Sequence, residues 1–129
     1  MGLFVSIFVS TLALYPIIIF GTEDQKNRFL KPFCAQFSLA SYCLSEYHVG
    51  SDPASMETTA TREGDHYVLN GTKMWITNGG YANLYLVFGT TDRQKKHKGV
   101  ISLIVPADLP GIRHGEPIDK MGQRASKTT

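Results

Sequence analysis

The amino-acid sequence predicts a protein of the α+β class, with two N-terminal helices followed by a region made of short strands. Up to about residue 36, apolar residues recur with helical spacing, whereas further on they alternate with a period of two or form short runs. Hydrophobic residues make up 43% of the chain and charged residues 19%, which is typical of a globular protein. A chain of 129 residues is long enough to bury one ordinary core.

The first predicted helix lies within residues 1–21, which contain no charged side chain. This stretch is long and apolar enough to be weighed as a membrane span. Against a span, Ser6, Ser10 and Pro16 interrupt it, and no Lys or Arg precedes it as in a signal peptide. Pro16 is expected to end the helix near Tyr15. A buried helix of a larger protein and a membrane anchor both remain open.

The second helix is predicted to begin at Thr22 and to end near Pro32. Thr22 can cap the helix, and Gln25 follows three residues later, as in a capping box. Glu23 lies in the first turn, where the helix dipole favours a negative charge.

Seven strands are predicted from short apolar or threonine-rich runs between turn residues. They cover residues 39–44, 55–63, 66–69, 72–77, 84–88, 100–105 and 112–115. Gly64 and Asp65 form a predicted hairpin turn between two of them. The basic run at residues 93–98 is expected to be an exposed hairpin loop, with a phosphate-binding patch as the alternative.

The predicted strand 72–77 lies between two Asn-Gly pairs. Alternation places Lys73, Trp75 and Thr77 on one face of this strand and the two apolar residues between them on the other. An indole and a hydroxyl on one face could receive a planar ring with polar edges. The alternative is a half-buried strand in which Trp75 is a packing residue.

Composition gives little support for metal or nucleic acid as a ligand. Cys34 and Cys43 have no CxxC spacing and the four histidines are scattered, so no metal site is expected. The net charge of +2 indicates no particular partner, and no nucleic-acid partner is expected.

Several motifs in one order resemble those of the acyl-CoA dehydrogenases. They are Gly21-Thr22-Glu23-Asp24-Gln25-Lys26, Leu44-Ser45-Glu46 with Gly50-Ser51-Asp52, Asn70-Gly71-Thr72-Lys73 with Trp75-Ile76-Thr77-Asn78, and Met121-Gly122-Gln123-Arg124. The resemblance implies that residues 1–36 are the end of the family's N-terminal helical domain. It implies that residues 37–129 form most of its middle domain, as an incomplete antiparallel β-barrel.

The resemblance also implies a set of FAD-binding residues. These are Tyr42, Cys43, Leu44, Ser45, Glu46, Gly50, Ser51, Trp75, Ile76 and Thr77. In the family, the indole packs on the flavin, the Thr hydroxyl meets the flavin N5 region, and Ser51 also lies near the acyl-CoA substrate.

The implied function is FAD-dependent oxidation of acyl-CoA thioesters to 2-enoyl-CoA, with a lean towards the short-chain members. Electron-transfer flavoprotein as acceptor, a homo-oligomer, and the mitochondrial matrix or bacterial cytoplasm follow from the same resemblance. The family's usual base lies in a C-terminal helical domain, so no catalytic residue is assigned here and residues 1–129 alone are expected to be inactive. The alternative is a membrane-anchored or interaction module built on this β-domain, which Tyr47 in place of the family's usual Pro favours.

Overall fold

A long helix, a shorter helical segment and a five-stranded sheet follow one another in the computed structural model, which describes residues 2–129. Met1, the first residue of the predicted N-terminal helix or anchor, lies outside the described residues. The helical elements are α1 (Gly2–Phe20), α2 (Glu23–Gln25), a π-helical turn (Lys26–Leu30) and α3 (Lys31–Ala35). The strands are β1 (Ala40–Cys43), β2 (Thr59–Glu63), β3 (His66–Asn70), β4 (Leu84–Thr90) and β5 (Val100–Pro106). The predicted α+β class is confirmed.

Strand β4 is the centre of the sheet. It pairs along its whole length with antiparallel β5, from Leu84 opposite Pro106 to Thr90 opposite Val100. On its other side it pairs with parallel β1 and, at Thr90, with Thr59 of β2. The β2–β3 hairpin turns at the predicted Gly64-Asp65 position. The sheet is therefore open and mixed, with antiparallel pairing in β2–β3 and β4–β5 and parallel pairing of β4 with β1 and β2.

Two of the seven predicted strands are wrong, and a third begins late. Residues 72–77 and 112–115 form no strand, and the run predicted from residue 55 enters the sheet only at Thr59. Trp75 and Asn78 have φ angles of 64° and 65°, in the left-handed region that a strand does not use. These two residues break the extended conformation that the alternating pattern predicted.

The prediction that α1 ends near Tyr15 is also wrong, because the helix continues through Pro16 to Phe20. Pro16 has no N–H to donate to the helix, a cost that tertiary packing offsets. Ala13 and Ile17, on either side of it, are 1% and 3% exposed and pack with Ala40 in the core.

The second helical segment begins as predicted and ends later than predicted. Thr22 and Gln25 form the reciprocal hydrogen bonds of a capping box. Pro32 was expected to end the helix, yet the chain remains helical to Ala35. The preceding π-helical turn shifts the hydrogen-bond ladder, and Pro32 then lies in the first turn of α3, where a missing N–H costs little.

Helix α1 covers one end of the sheet with a stripe of mostly small residues. The buried residues are Gly2, Ser6, Ser10, Ala13 and Ile17. Its other face consists of large apolar residues, among which Phe4 and Phe20 are 69% and 83% exposed. By length and composition, α1 could cross a membrane, although a core helix would pass the same test.

Candidate functional site

Two loops beside the carboxyl end of β1 contain most of the predicted flavin-binding residues. The first loop comprises residues 44–51 and the second loop comprises residues 73–78. They run side by side, because the Met74 amide donates a hydrogen bond of 2.9 Å to the Ser45 carbonyl. The structure thus brings together two motifs that lie about 30 residues apart in the sequence.

The first loop contains a tight turn. Glu46 and Val49 exchange backbone hydrogen bonds of 2.9 and 3.2 Å, which leaves Tyr47 and His48 at the tip. Their rings meet edge to face at 4.6 Å, and Tyr47 is 76% exposed. Tyr47, which stands where the family usually has Pro, therefore lies at the tip of a solvent-exposed turn.

The second loop is fixed on its other side by the last residues of the described chain. Ile76 and Thr129 exchange backbone hydrogen bonds of 2.7 and 3.1 Å, and the Asn78 amide donates to the Lys127 carbonyl at 2.8 Å. Gly79 permits this close approach, since a Cβ there would lie 2.0 Å from the Thr129 hydroxyl. The second loop is consequently held from both sides by backbone groups.

Neighbouring side chains of the second loop differ strongly in exposure. Trp75 is 57% exposed, whereas Ile76 is 6% exposed and packs with Cys43. Lys73 does not share the face of Trp75 as predicted, because its side chain is only 11% exposed and turns inward. Ser45, whose carbonyl bonds the neighbouring Met74 amide, and Thr77 are partly exposed.

A cluster of charged groups, called here the charged cluster, joins the two loops beneath the surface. The Lys73 ammonium donates to Glu46 Oε1 at 2.7 Å and to the Leu44 carbonyl at 3.1 Å. The Glu46 carboxylate also accepts from the backbone amides of Glu57 at 2.6 Å and Thr58 at 2.9 Å. Both side chains are nearly or fully buried.

The protonation of Glu46 follows from these contacts. Burial alone would raise its pKa, but the hydrogen bonds from Lys73 and from backbone amides outweigh burial and hold the pKa of Glu46 below its usual value. Glu46 is therefore an ionised, fully engaged carboxylate at neutral pH. It is not poised as a general base, which needs a free, positioned oxygen.

A second, uncharged cluster, called here the amide cluster, attaches the end of the second loop to α1. The Asn78 side-chain amide donates to the Ser6 carbonyl at 2.9 Å and to the Ala40 carbonyl at 3.0 Å. The Ser10 hydroxyl accepts from the Ala40 amide at 3.0 Å and donates to the Ser6 carbonyl at 2.9 Å. Asn78 is 2% exposed, so these bonds form away from water.

This arrangement of loops coincides with a known domain. The profile of the acyl-CoA dehydrogenase middle domain matches residues 41–129, more than half of the chain. The chain belongs to the acyl-CoA dehydrogenase family. The match begins inside β1 and includes both loops and the C-terminal segment that holds the second one.

Individual family members agree with this assignment. The chain is 44% identical over 119 residues to the short-chain specific acyl-CoA dehydrogenase of rat mitochondria and to a probable acyl-CoA dehydrogenase of Bacillus subtilis. Each alignment covers 92% of this chain, but 29% of the rat protein and 31% of the bacterial one. The fold matches butyryl-CoA dehydrogenase from Megasphaera elsdenii with a TM-score of 0.93, 39% identity, and coverage of 98% of this chain and 34% of that one. The chain thus spans about a third of these acyl-CoA dehydrogenases.

The predicted FAD-binding residues of this acyl-CoA dehydrogenase chain fall into three groups. Tyr42 and Leu44 are partly exposed, with Tyr42 packed against the core and the Leu44 carbonyl bonded to Lys73. Those that offer an accessible side chain or backbone are Ser45, Gly50, Ser51, Trp75 and Thr77. Cys43, Glu46 and Ile76 are buried, so only their backbone could meet a ligand. Burial raises the pKa of the Cys43 thiol to about 12, which keeps it protonated and unreactive.

The exposed surface is compatible with a flavin. The mostly exposed Trp75 indole offers a flat apolar face. The partly exposed residues Ser45 and Thr77 have hydroxyl and backbone groups that can pair with the polar edge of an isoalloxazine. Gly50 has open space where a Cβ would project, so a ligand could approach the backbone there. The assignment of individual FAD contacts stays a prediction.

A cleft of about 650 Å³ lies beside this surface. It is lined by both loops, at Tyr47 and Met74, and by Arg93, whose guanidinium donates to the Glu57 carbonyl at 2.7 Å. Trp75 and Thr77 are not among the described residues that line it. The predicted flavin surface is therefore adjacent to the cleft and not inside it.

Sequence reasoning missed the structural roles of three residues near the site. Lys73 was placed on the ligand face, and Ser10 and Asn78 received no role beyond helix and motif positions. Their partners lie 27 to 72 residues away, so no local pattern identifies them. A signal for Lys73 and Asn78 was their position close to the apolar run Met74-Trp75-Ile76, where a buried polar side chain requires hydrogen-bond partners.

Proposed function

We propose that the two loops bind the isoalloxazine of FAD and that this chain is the flavin-contacting part of an acyl-CoA dehydrogenase. The observation that carries the proposal is the exposed Trp75 indole, held beside the first loop by the Met74–Ser45 backbone bond. The family assignment supports the same reading. The intact enzyme would oxidise an acyl-CoA thioester to the 2-enoyl-CoA.

Each accessible residue receives a proposed task. Trp75 packs against the flavin ring, and the Thr77 and Ser45 hydroxyls meet its polar edge. Ser51, exposed at the end of the first loop, lies towards the acyl-CoA. When bound, FAD supplies the hydride acceptor, while a carboxylate must remove the α proton.

We place that carboxylate outside residues 2–129. Glu46, the carboxylate within the first loop, is buried and occupied by Lys73 and two backbone amides. The chain spans under a third of its rat relative, which leaves room for the base elsewhere in an intact enzyme. Electron-transfer flavoprotein as acceptor, a homo-oligomeric state, and a mitochondrial or bacterial cytoplasmic location belong to this proposal.

Flavin binding tests the proposal directly. The chain is titrated with FAD, and binding is followed by flavin absorption and by quenching of Trp75 fluorescence. Trp75→Ala should weaken binding about tenfold, because a stacked ring contributes about 1 kcal/mol beyond its buried area. Tyr67→Ala on β3, another exposed aromatic, is the matched control and should bind like the parent. Equal affinity of parent and Trp75→Ala, read by absorption, would contradict the assigned surface.

Turnover is tested separately from binding. FAD-loaded protein is mixed with short-chain and medium-chain acyl-CoA, and the flavin absorbance is followed with time. No bleaching at an enzyme-like rate is expected, because proton abstraction needs a positioned base and a water-excluded pocket. Rapid bleaching that disappears when one carboxylate in this chain is changed would show that the base lies here.

A membrane-associated module is the second candidate, and the exposed face of α1 favours it. Leu3, Phe4 and Phe8 on that face are each more than half exposed. On the opposite face, Ser10 forms buried hydrogen bonds with Ala40, which supports a helix docked on the domain. We therefore expect carbonate at high pH to strip the protein from vesicles. Resistance to carbonate would support insertion of α1 and favour this second candidate.

A further inference from the structure

We infer that Lys73 and Glu46 form a positioning pair that fixes the second loop against the first and thereby presents Trp75 to a bound flavin. This inference rests on the proposed FAD site. It assigns a task to the charged cluster, which touches no proposed ligand atom.

The pair joins the two loops at consecutive points. The Lys73 ammonium bonds both the Leu44 carbonyl and the Glu46 carboxylate, at 3.1 and 2.7 Å. The next residue, Met74, donates its backbone amide to Ser45 at 2.9 Å. Three hydrogen bonds therefore connect residues 44–46 with residues 73–74, immediately before Trp75.

The same carboxylate anchors the first loop to the sheet. Glu46 accepts the amides of Glu57 and Thr58, the two residues that precede β2. Lys73 is thus bonded to a side chain that is itself fixed by two backbone amides next to β2. The position of the second loop is therefore set relative to the sheet as well as relative to the first loop.

Trp75 needs such support because of its backbone conformation. Its φ of 64° lies in the left-handed region, which is unfavourable for a non-glycine residue. The neighbouring hydrogen bonds of Met74 and Ile76 hold it there from both sides. Loss of the Lys73 contacts would let the loop relax towards ordinary conformations and would move the indole.

Energetics also favour a positioning role over a simple stabilising one. A buried ion pair often contributes little net stability compared with apolar groups of similar shape, because both charges lose their hydration. Removing both charges together should leave the fold intact while the loop loses its fixed position. The effect of the pair on the position of the loop can therefore be measured separately from its effect on folding.

The test uses Trp75 as its own reporter, since it is the one tryptophan in the sequence. Lys73→Met and the double variant Glu46→Gln/Lys73→Met are compared with the parent. The amides of Glu57 and Thr58 bond different oxygens of Glu46, so the single Gln oxygen can still accept from one of them. The matched control is Lys26→Met, which removes an exposed ion pair with Glu23 at 3.0 Å.

We expect both Lys73 variants to bind FAD at least tenfold more weakly than the parent and to show faster local rotation of Trp75 in time-resolved fluorescence anisotropy. Lys26→Met should match the parent in both measurements. Circular dichroism and the melting temperature establish that the variants are folded. If Lys73→Met does not fold, the double variant decides.

Two outcomes separate this inference from the proposal beneath it. A folded Lys73 variant with parental Trp75 anisotropy and parental FAD affinity would overturn the positioning role. If the parent binds no FAD, the proposed function fails, and the anisotropy of Trp75 alone then decides whether the pair positions the loop.

Discussion

The charged cluster and the amide cluster secure opposite ends of the same loop by different chemistry. At one end, Lys73 and Glu46 connect the second loop to the first loop and to the start of β2. At the other end, Asn78 connects it to α1 and β1 without any charge. Both clusters are buried, so every donor and acceptor must be paired. The two clusters differ in the kind of group that remains unpaired when one member is removed, because that group is charged in one cluster and neutral in the other.

This difference decides how each cluster responds to change. A charged partner left alone in the interior carries a desolvation cost of several kcal/mol, whereas a neutral group left alone costs about 1–3 kcal/mol. A carboxylate also titrates and an amide does not. The charged cluster should therefore be the more sensitive of the two to mutation, and the one that responds to pH.

The largest expected effect is that of Glu46→Ala. It would leave the Lys73 ammonium and two backbone amides without their acceptor, with a loss of about 3–5 kcal/mol in the free energy of unfolding. Urea denaturation at neutral pH measures this. Glu46→Gln, which keeps an acceptor oxygen, should lose less. A loss below 1 kcal/mol for Glu46→Ala would contradict the paired, buried arrangement.

A smaller loss is expected for Asn78→Ala, about 2 kcal/mol. The change removes two buried hydrogen bonds, to the carbonyls of Ser6 and Ala40, and leaves a small cavity. The free energy of unfolding of Asn78→Ala and of the parent should be measured at pH 7 and again near pH 4. The loss from Asn78→Ala should be the same at both values, and a loss that changes with pH would show coupling between the clusters.

The pH dependence of the parent protein should come partly from Glu46. Its pKa is lower in the folded state than the usual value of about 4.5, so the folded state holds its proton less tightly. The resulting stabilisation is complete above that value and is lost as the pH falls through the folded pKa. Acid unfolding of Glu46→Gln should start from a lower stability and should fall less steeply below pH 4.5. If stability falls equally steeply with decreasing pH in the parent and in Glu46→Gln, Glu46 does not contribute to the pH dependence.

The smallest effect is expected within the amide cluster, for Ser10→Ala. This change leaves the buried Ala40 amide without its acceptor and should cost about 1 kcal/mol. Thr11→Ala is the matched control, since the Thr11 hydroxyl bonds the Ile7 carbonyl one turn back but is exposed. Thermal unfolding should separate the two variants, and equal melting temperatures would argue against a role for burial at Ser10.

Local features of the fold could be predicted where neighbouring residues decide them. The capping box at Thr22, the hairpin turn at Gly64-Asp65 and the exposed loop between β4 and β5 depend on contacts within a few residues. The β4 run was predicted because a strand covered on both faces is apolar throughout. The predicted role of Trp75 as a flavin-packing residue came from the resemblance, because the strand that alternation predicted around it does not form.

The sequence by itself determined the family, the two helical segments and five of the seven predicted strands, whereas the flavin-contacting residues stay a prediction. Tertiary structure decided that α1 continues past Pro16, that residues 72–77 form a loop, and that Lys73 points inward. In each case distant partners outweighed a local preference. Ala13 and Ile17 pack on the sheet around Pro16, and Glu46 supplies a buried partner for Lys73. Burial makes such contacts strong because water no longer competes for the same groups, and a local pattern contains no information about which distant group will be there.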